Sequence, residues 1–188
     1  IGGAGFGQLG AYFVVSSDGY LHTLNTSTGG DLIPPVKFVP PNSRVSSLNV
    51  ENNIIYAATS GDCGGNSNAV YAIDLSSDDK KISSFDTHGS GTAGIGGTTI
   101  GADGTVYVQI ASGHGEEAGI YNDTVVALDA ETLKVKDYFT PSASLPALKK
   151  DEAVYGVSPV FFSSNGKNLL VVGSRNGRLY VLYTASLG

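Results

Sequence analysis

Four stretches of this chain share one pattern: SDGYLHTLNTSTG at 17–29, SNAVYAIDLSSDD at 67–79, NDTVVALDAETL at 122–133 and NGRLYVLYTASLG at 176–188. Each opens on turn-forming residues, runs through alternating apolar positions to a Leu or Ile, and ends in a small polar turn. The closing pairs, Leu24-Asn25, Ile73-Asp74, Leu128-Asp129 and Leu182-Tyr183, stand 49, 55 and 54 residues apart. A unit of that size cannot bury its apolar faces alone, so the units must stack on one another.

Within each interval the same series of short alternating runs recurs, bounded by Gly, Asn, Asp or Pro. The spacing predicts strands at 11–16, 20–25 and 31–39 in the first unit. In the second they fall at 45–50, 54–60, 69–74 and 81–86, and in the third at 97–101, 105–111, 124–129 and 134–139. The fourth has 158–163, 168–174 and 178–183. Asp18-Gly19, Asp103-Gly104, Asn165-Gly166 and Asn176-Gly177 supply the positive φ of tight hairpins, so neighbouring strands run antiparallel. Four strands in about fifty residues, without helical periodicity, describe the blades of a β-propeller. A series of β-sandwich domains would need about a hundred residues per unit.

Composition supports this all-β reading and excludes several functions. Gly accounts for 26 of 188 residues, Tyr and Phe together for 17, and only 15% of residues are charged. A net charge of −6 and no cluster of Lys and Arg argue against nucleic acid or anionic lipid as partner. The single cysteine, Cys63, excludes an intrachain disulfide and a Cys-rich zinc site. No run of eighteen apolar residues marks a membrane span, and no signal peptide is visible. The chain lacks an initiator Met and begins IGGAGFGQLG, which reads as an internal fragment of a longer protein.

The segments VYAIDLSSDD, VVALDAETLK and LYVLYTASLG resemble the repeats of the pyrroloquinoline-quinone-like (quinoprotein alcohol dehydrogenase-like) propellers. Blades of that family carry a hydrophobic-Tyr-Ala-Leu-Asp-x-x-Thr-Gly segment before the outermost strand. The resemblance covers nearly the whole chain. It implies an extracytoplasmic location, periplasmic or secreted. For the family's bacterial dehydrogenases it implies Trp-rich blade motifs, a Trp beneath the quinone and a vicinal cysteine pair above it. This chain has no Trp and one Cys, so no catalytic, cofactor-binding or metal residue is carried over.

The expected organisation is a single partial propeller over 1–188, with blade 1 at about 1–40, blade 2 at about 41–87, blade 3 at about 95–140 and an incomplete blade 4 at about 156–188. IGGAGFGQ is too rich in Gly to read as an inner strand and the last unit lacks its outer strand, so two complete blades are expected between two incomplete ones; ends that do not complete each other point to about half of a seven- or eight-bladed ring over a four-bladed one. With strands lettered A to D from the axis outward, the short A-to-B turns fall on one face. The long B-to-C connections, 60–68 and 112–122, and the D-to-A crossings, 87–97 and 140–156, fall on the other. Long connections grouped on a rigid scaffold are where binding functions concentrate.

That face carries the candidate partner-binding residues Asp62, Asn66, His88, His114, Glu116, Glu117, Tyr121 and Asn122, with Tyr121 read as an exposed aromatic anchor. His114, Glu116 and Glu117 have the chemistry of a cation site, but adjacent carboxylates on a Gly-flanked loop are commonly just solvated. Cys63 in GDCGG has no paired base and reads as a free thiol. GSGTAGIGG at 89–97 lacks the Lys and the strand-to-helix context of a phosphate loop. Two matches to the glycosylation sequon, at Asn25 and Asn122, are short enough to arise by chance. ALKKDEAVYG reads as one helical turn, and VFFSSNGKNLLVVGS as strand buried on both faces. The expected function is a non-enzymatic propeller that binds a protein partner, or the remainder of its own ring, in a larger extracytoplasmic complex, with no cofactor. The alternative is a fragment of a dehydrogenase that oxidises an alcohol or sugar with pyrroloquinoline quinone and calcium.

Overall fold

The structure, a computed structural model, describes residues 3–4, 10–46, 48–87, 91–111, 121–140, 157–173 and 178–188. Its strands form four antiparallel sheets, each made from strands consecutive in the chain. Blade 1 holds β1 (Gly3–Ala4), β2 (Ala11–Val15), β3 (Tyr20–Asn25) and β4 (Val36–Lys37). Blade 2 holds β5 (Asn49–Glu51), β6 (Ile54–Ala58), β7 (Ala69–Asp74) and β8 (Ile82–Asp86). Blade 3 holds β9 (Thr99–Ile100), β10 (Val106–Gln109), β11 (Val125–Leu128) and β12 (Val135–Phe139). Blade 4 has three strands, β13 (Val160–Ser164), β14 (Lys167–Gly173) and β15 (Leu179–Tyr183). The protein is thus an all-β, partial β-propeller.

Two expectations need correction. Blade 1 has the inner strand its Gly-rich sequence concealed: Gly3 pairs with Val14, and Ala4 with Phe13. A ladder uses backbone groups, so the lack of side-chain alternation does not forbid it. Among the described residues, three blades are therefore four-stranded and blade 4 shows three strands. In the outer part of blade 1, the expected run 31–39 breaks into a bridge from Leu24 to Asp31 and the two-residue β4. Between them stand Pro34 and Pro35, which have no N–H to donate to a ladder.

The structure explains the repeat's closing polar residue. Asn25 accepts hydrogen bonds through Oδ1 from the amides of Ser27 and Thr28, at 2.8 and 3.0 Å. Asp129 does the same for Glu131 and Thr132, at 3.3 and 2.9 Å, and also binds the Thr132 hydroxyl. Asp74 accepts from the amide and hydroxyl of Ser76. In each of these three blades this residue closes the C-to-D turn and sends the chain back as the outer strand. In blade 4 the corresponding place is held by Tyr183, the last residue of β15.

The core lies in three seams where blades stack. Phe13, Val15 and Leu21 of blade 1 meet Ile55, Ala57 and Ile73 of blade 2. Tyr56, Ala58 and Val70 then meet Val106, Val126 and Leu128 of blade 3. Tyr107, Val125 and Ala127 meet Leu170, Val172 and Leu182 of blade 4. Alternation along each strand therefore gives every blade one apolar row facing the preceding blade and another facing the following one. Blade 4 departs from the expected burial on both faces, because Val160 and Phe162 are 58% and 38% exposed. No described residue covers its far side.

Candidate functional site

The antiparallel order puts the B-to-C and D-to-A connections on one face, and their described parts lie against one another. Asn66 donates from Nδ2 to the Pro41 carbonyl at 2.8 Å and to the Cys63 carbonyl at 3.2 Å. Asp62 and Asn68 form a reciprocal pair, the Asp62 amide donating to Asn68 Oδ1 and Asn68 Nδ2 donating to Asp62 Oδ1 at 2.7 Å. Arg44 O accepts from the Ser60 amide, and the Thr87 amide and hydroxyl both donate to Asn68 O. Gly64, at positive φ, fits where a Cβ would come within 2.9 Å of Asn42 Cβ. The 60–68 connection is therefore fastened to the crossings on either side of it, with Asp62 left on its exposed rim.

Tyr121 lies elsewhere than on an exposed rim. Its ring packs between Phe85 of blade 2 and Tyr138 of blade 3, at centroid distances of 5.8 and 5.5 Å, against the apolar core. The exposed aromatic of this trio is Tyr138, at 52%. Alternation along 121–128 could not reveal this, because the rings that receive Tyr121 stand far from it in the chain. Asn122 supplies a carbonyl to the Thr124 hydroxyl at 3.0 Å. His88, His114, Glu116 and Glu117, like the helical turn expected within 147–156, lie outside the described residues. Cys63 is a half-buried free thiol in a single 3-10 turn. Among the described residues, no three His, Cys, Asp or Glu side chains converge closely enough to hold a metal ion.

The opposite face carries a feature that the sequence reading passed over. A cleft of about 220 Å³ opens between blades 2 and 3, and Glu51, Asp74, Asp103 and Glu131 contribute to its lining. These carboxylates come from two A-to-B turns and two C-to-D turns, so they are scattered along the chain and carry no local signature. Asp74 is held below the ordinary carboxylate range chiefly by the Ser76 hydroxyl. Asp103 also titrates low: burial opposes the shift, but the Thr105 amide and hydroxyl and the Lys136 ammonium outweigh it. At the cleft floor Tyr56 donates across the seam to the Ala130 carbonyl at 2.9 Å, and burial pushes its phenol up to about 12. Both low-titrating carboxylates are engaged in closing turns, which gives the cleft a structural rather than a chemical character.

Gln109, at the end of β10, was also missed. It is fully buried and faces blade 4, yet neither atom of its amide has a hydrogen-bond partner among the described residues. The equivalent places in the other blades, paired three residues before the closing Leu or Ile, are held by Val15, Ala58 and Gly173. The Ser158 hydroxyl and the Tyr180 phenol are likewise buried without partners among the described residues. Comparing the repeats position by position would have flagged Gln109, the one polar residue in that row.

No protein-family profile matches the chain, and no curated protein matches it in sequence. Solved structures do match in fold. A europium-containing methanol dehydrogenase superposes with a TM-score of 0.67 at 16% identity, over 99% of this chain and 40% of its own. BamB from Moraxella catarrhalis gives 0.58 at 16% identity, over 98% and 47%. The quinohemoprotein alcohol dehydrogenase from Comamonas testosteroni gives 0.62 at 17%, over 94% and 32%. This chain thus spans less than half the length of each of these three. The similarity establishes a propeller of the kind these proteins share, and at such identities it speaks to fold alone. No helix among the described residues is long and apolar enough to cross a membrane.

Proposed function

We propose that this protein is a non-enzymatic quinoprotein-like propeller that binds another protein within a larger extracytoplasmic assembly, through the face bearing its long connections. One observation supports this most: the 60–68 connection is fastened at Asn66 and at the Asp62–Asn68 pair onto its neighbouring crossings, so its polar rim is held in shape before any partner arrives. Binding to a preformed surface avoids much of the ordering cost of association. Acidic groups on that rim would steer a basic partner and set the association rate more than the affinity. Tyr121 enters this reading as a support beneath the surface.

The second reading, a fragment of a quinone-dependent alcohol or sugar dehydrogenase, draws on the likeness to a methanol dehydrogenase over 99% of the chain. One titration separates the two. With pyrroloquinoline quinone and Ca²⁺ added, the melting temperature and the quinone absorbance should not change, and no dye-linked oxidation of alcohols or glucose should follow. A saturable shift or turnover would overturn the binding reading. A positive test is association with the natural partner. Glu116→Lys with Glu117→Lys should slow it and alter its salt dependence, whereas Asp103→Asn on the opposite face should leave it unchanged.

A further inference from the structure

The chain contains two Asn-x-Ser/Thr triplets, Asn25-Thr26-Ser27 and Asn122-Asp123-Thr124, and the fold treats them differently. Asn25 closes the C-to-D turn of blade 1, in the place that Asp74 and Asp129 hold in blades 2 and 3. A carboxylate makes the same turn bonds, as Asp74 does to the Ser76 amide at 2.8 Å. Closing the turn therefore does not call for asparagine. What Asn25 adds is Nδ2 with its two hydrogens. The turn engages only Oδ1, through the amides of Ser27 and Thr28, and leaves Nδ2 without a partner among the described residues.

The hydroxyl two residues further on differs as well. In blade 2 the Ser76 hydroxyl donates to Asp74 Oδ1 at 2.6 Å, whereas in blade 1 the Ser27 hydroxyl has no partner among the described residues. Every residue from 26 to 35 is exposed. Asn25 pairs with Ala11, in the row of Phe13 and Val15 that faces blade 2. Its setting therefore does not depend on what lies against the other side of blade 1.

The second triplet is built into a seam. Thr124 is fully buried, and its hydroxyl donates to the Asn122 carbonyl at 3.0 Å and lies 2.8 Å from Thr140 Oγ1. Tyr121, just before it, is packed between Phe85 and Tyr138. An enzyme could engage this triplet in the folded chain only by opening the seam.

We propose that Asn25 is a modification site, the acceptor of an N-linked oligosaccharide. The donor is by class an oligosaccharide carried on a polyprenyl diphosphate. Nδ2 forms a bond to the anomeric carbon, the bond from that carbon to the diphosphate oxygen breaks with its electron pair leaving on the diphosphate, and one Nδ2 proton passes to a base of the transferase. Such a bulky, hydrophilic product belongs on an exposed turn of an exported chain. The inference rests on the extracytoplasmic part of the reading above and sharpens it. The glycan stands on the face opposite the long connections, so it keeps that face in solvent and leaves the binding face uncovered.

The test passes the full chain, behind a cleavable leader, through the secretory route of a eukaryotic host and reads the intact mass of the folded product before and after peptide N-glycosidase. One glycan is expected, with Asn25 converted to Asp on its release. Asn25→Asp should abolish it and keep the turn, as Asp74 does in blade 2, and circular dichroism checks that the sheet content is unchanged. Ser27→Ala should abolish it with Asn25 still in place, and Asn122→Gln should leave it untouched. Because the leader imposes export, an Asn25 left bare overturns the site without bearing on location, while partner association tests the binding reading separately. A glycan at Asn122 of the folded product also overturns the proposal.

Discussion

The seam between blades 2 and 3 and the seam between blades 3 and 4 use the same architecture but differ in polar bookkeeping. Across the first, the polar side chains have partners: Tyr56, 1% exposed, donates its hydroxyl to the Ala130 carbonyl, and Asn49 donates from Nδ2 to the carbonyls of Gly96 and Thr98. Across the second, Gln109 and Tyr180 bring buried polar atoms with no partner among the described residues. A hydrogen bond contributes only about 1 kcal/mol net, whereas a buried donor or acceptor left unmade costs about 1–3 kcal/mol. Two interfaces of like shape can therefore differ in strength through a few atoms.

The comparison can be broken most directly with truncations. Leu128→Ala in the seam between blades 2 and 3 should destabilise by about 2–5 kcal/mol, since a fully buried site leaves a cavity. Leu182→Ala in the other seam, where the side chain is 8% exposed, should cost less. Urea denaturation of both variants measures the difference, and equal losses would remove the distinction between the seams. Next in size, Gln109→Leu should stabilise by about 1–3 kcal/mol by removing the unpartnered amide. A loss of stability instead would show that this amide is satisfied.

A pair of hydroxyl deletions sharpens the contrast further. Tyr56→Phe should cost about 1 kcal/mol by removing a made hydrogen bond, whereas Tyr180→Phe should cost nothing or stabilise slightly. Thermal melts of the two single variants and the double variant would test this, and a cost at Tyr180 would reverse the assignment. The smallest effect concerns pH. Asp129 is held below its ordinary value of 3.8, mainly by the Thr132 hydroxyl and then by its amide. Because the folded-state value is depressed, its contribution is present above pH 3.8 and lost as pH falls through the lower folded value. The group is well exposed, so the effect is small. Asp129→Asn should flatten the fall in melting temperature between pH 5 and pH 2.5, because Asn accepts the same turn hydrogen bonds, as Asn25 does in blade 1.

What the sequence displayed and what it concealed follow from this division. The blades were legible because each must be apolar on both sides, and that requirement writes a fifty-residue rhythm into the chain. The closing Asn25, Asp74 and Asp129 were visible as markers, although their use as turn closers appears only with the backbone. β1 was hidden because a backbone ladder at Gly3 leaves no side-chain pattern. The true setting of Tyr121 depends on contacts with Phe85 and Tyr138, 36 and 17 residues away in the chain. The acidic cleft gathers four separate turns, so no local reading could assemble it.

The confinement of each strand ladder to one blade has an evolutionary consequence. An insertion or deletion of one whole repeat, cut anywhere within a D-to-A crossing, leaves every strand pairing in the remaining blades intact and merely moves which faces meet. Copy number can then change by unequal recombination without an intermediate that has lost its hydrogen bonds. Selection afterwards acts on the complementarity of the faces brought together, one methyl or one amide at a time, and Gln109 marks a row where that fitting differs from its three counterparts.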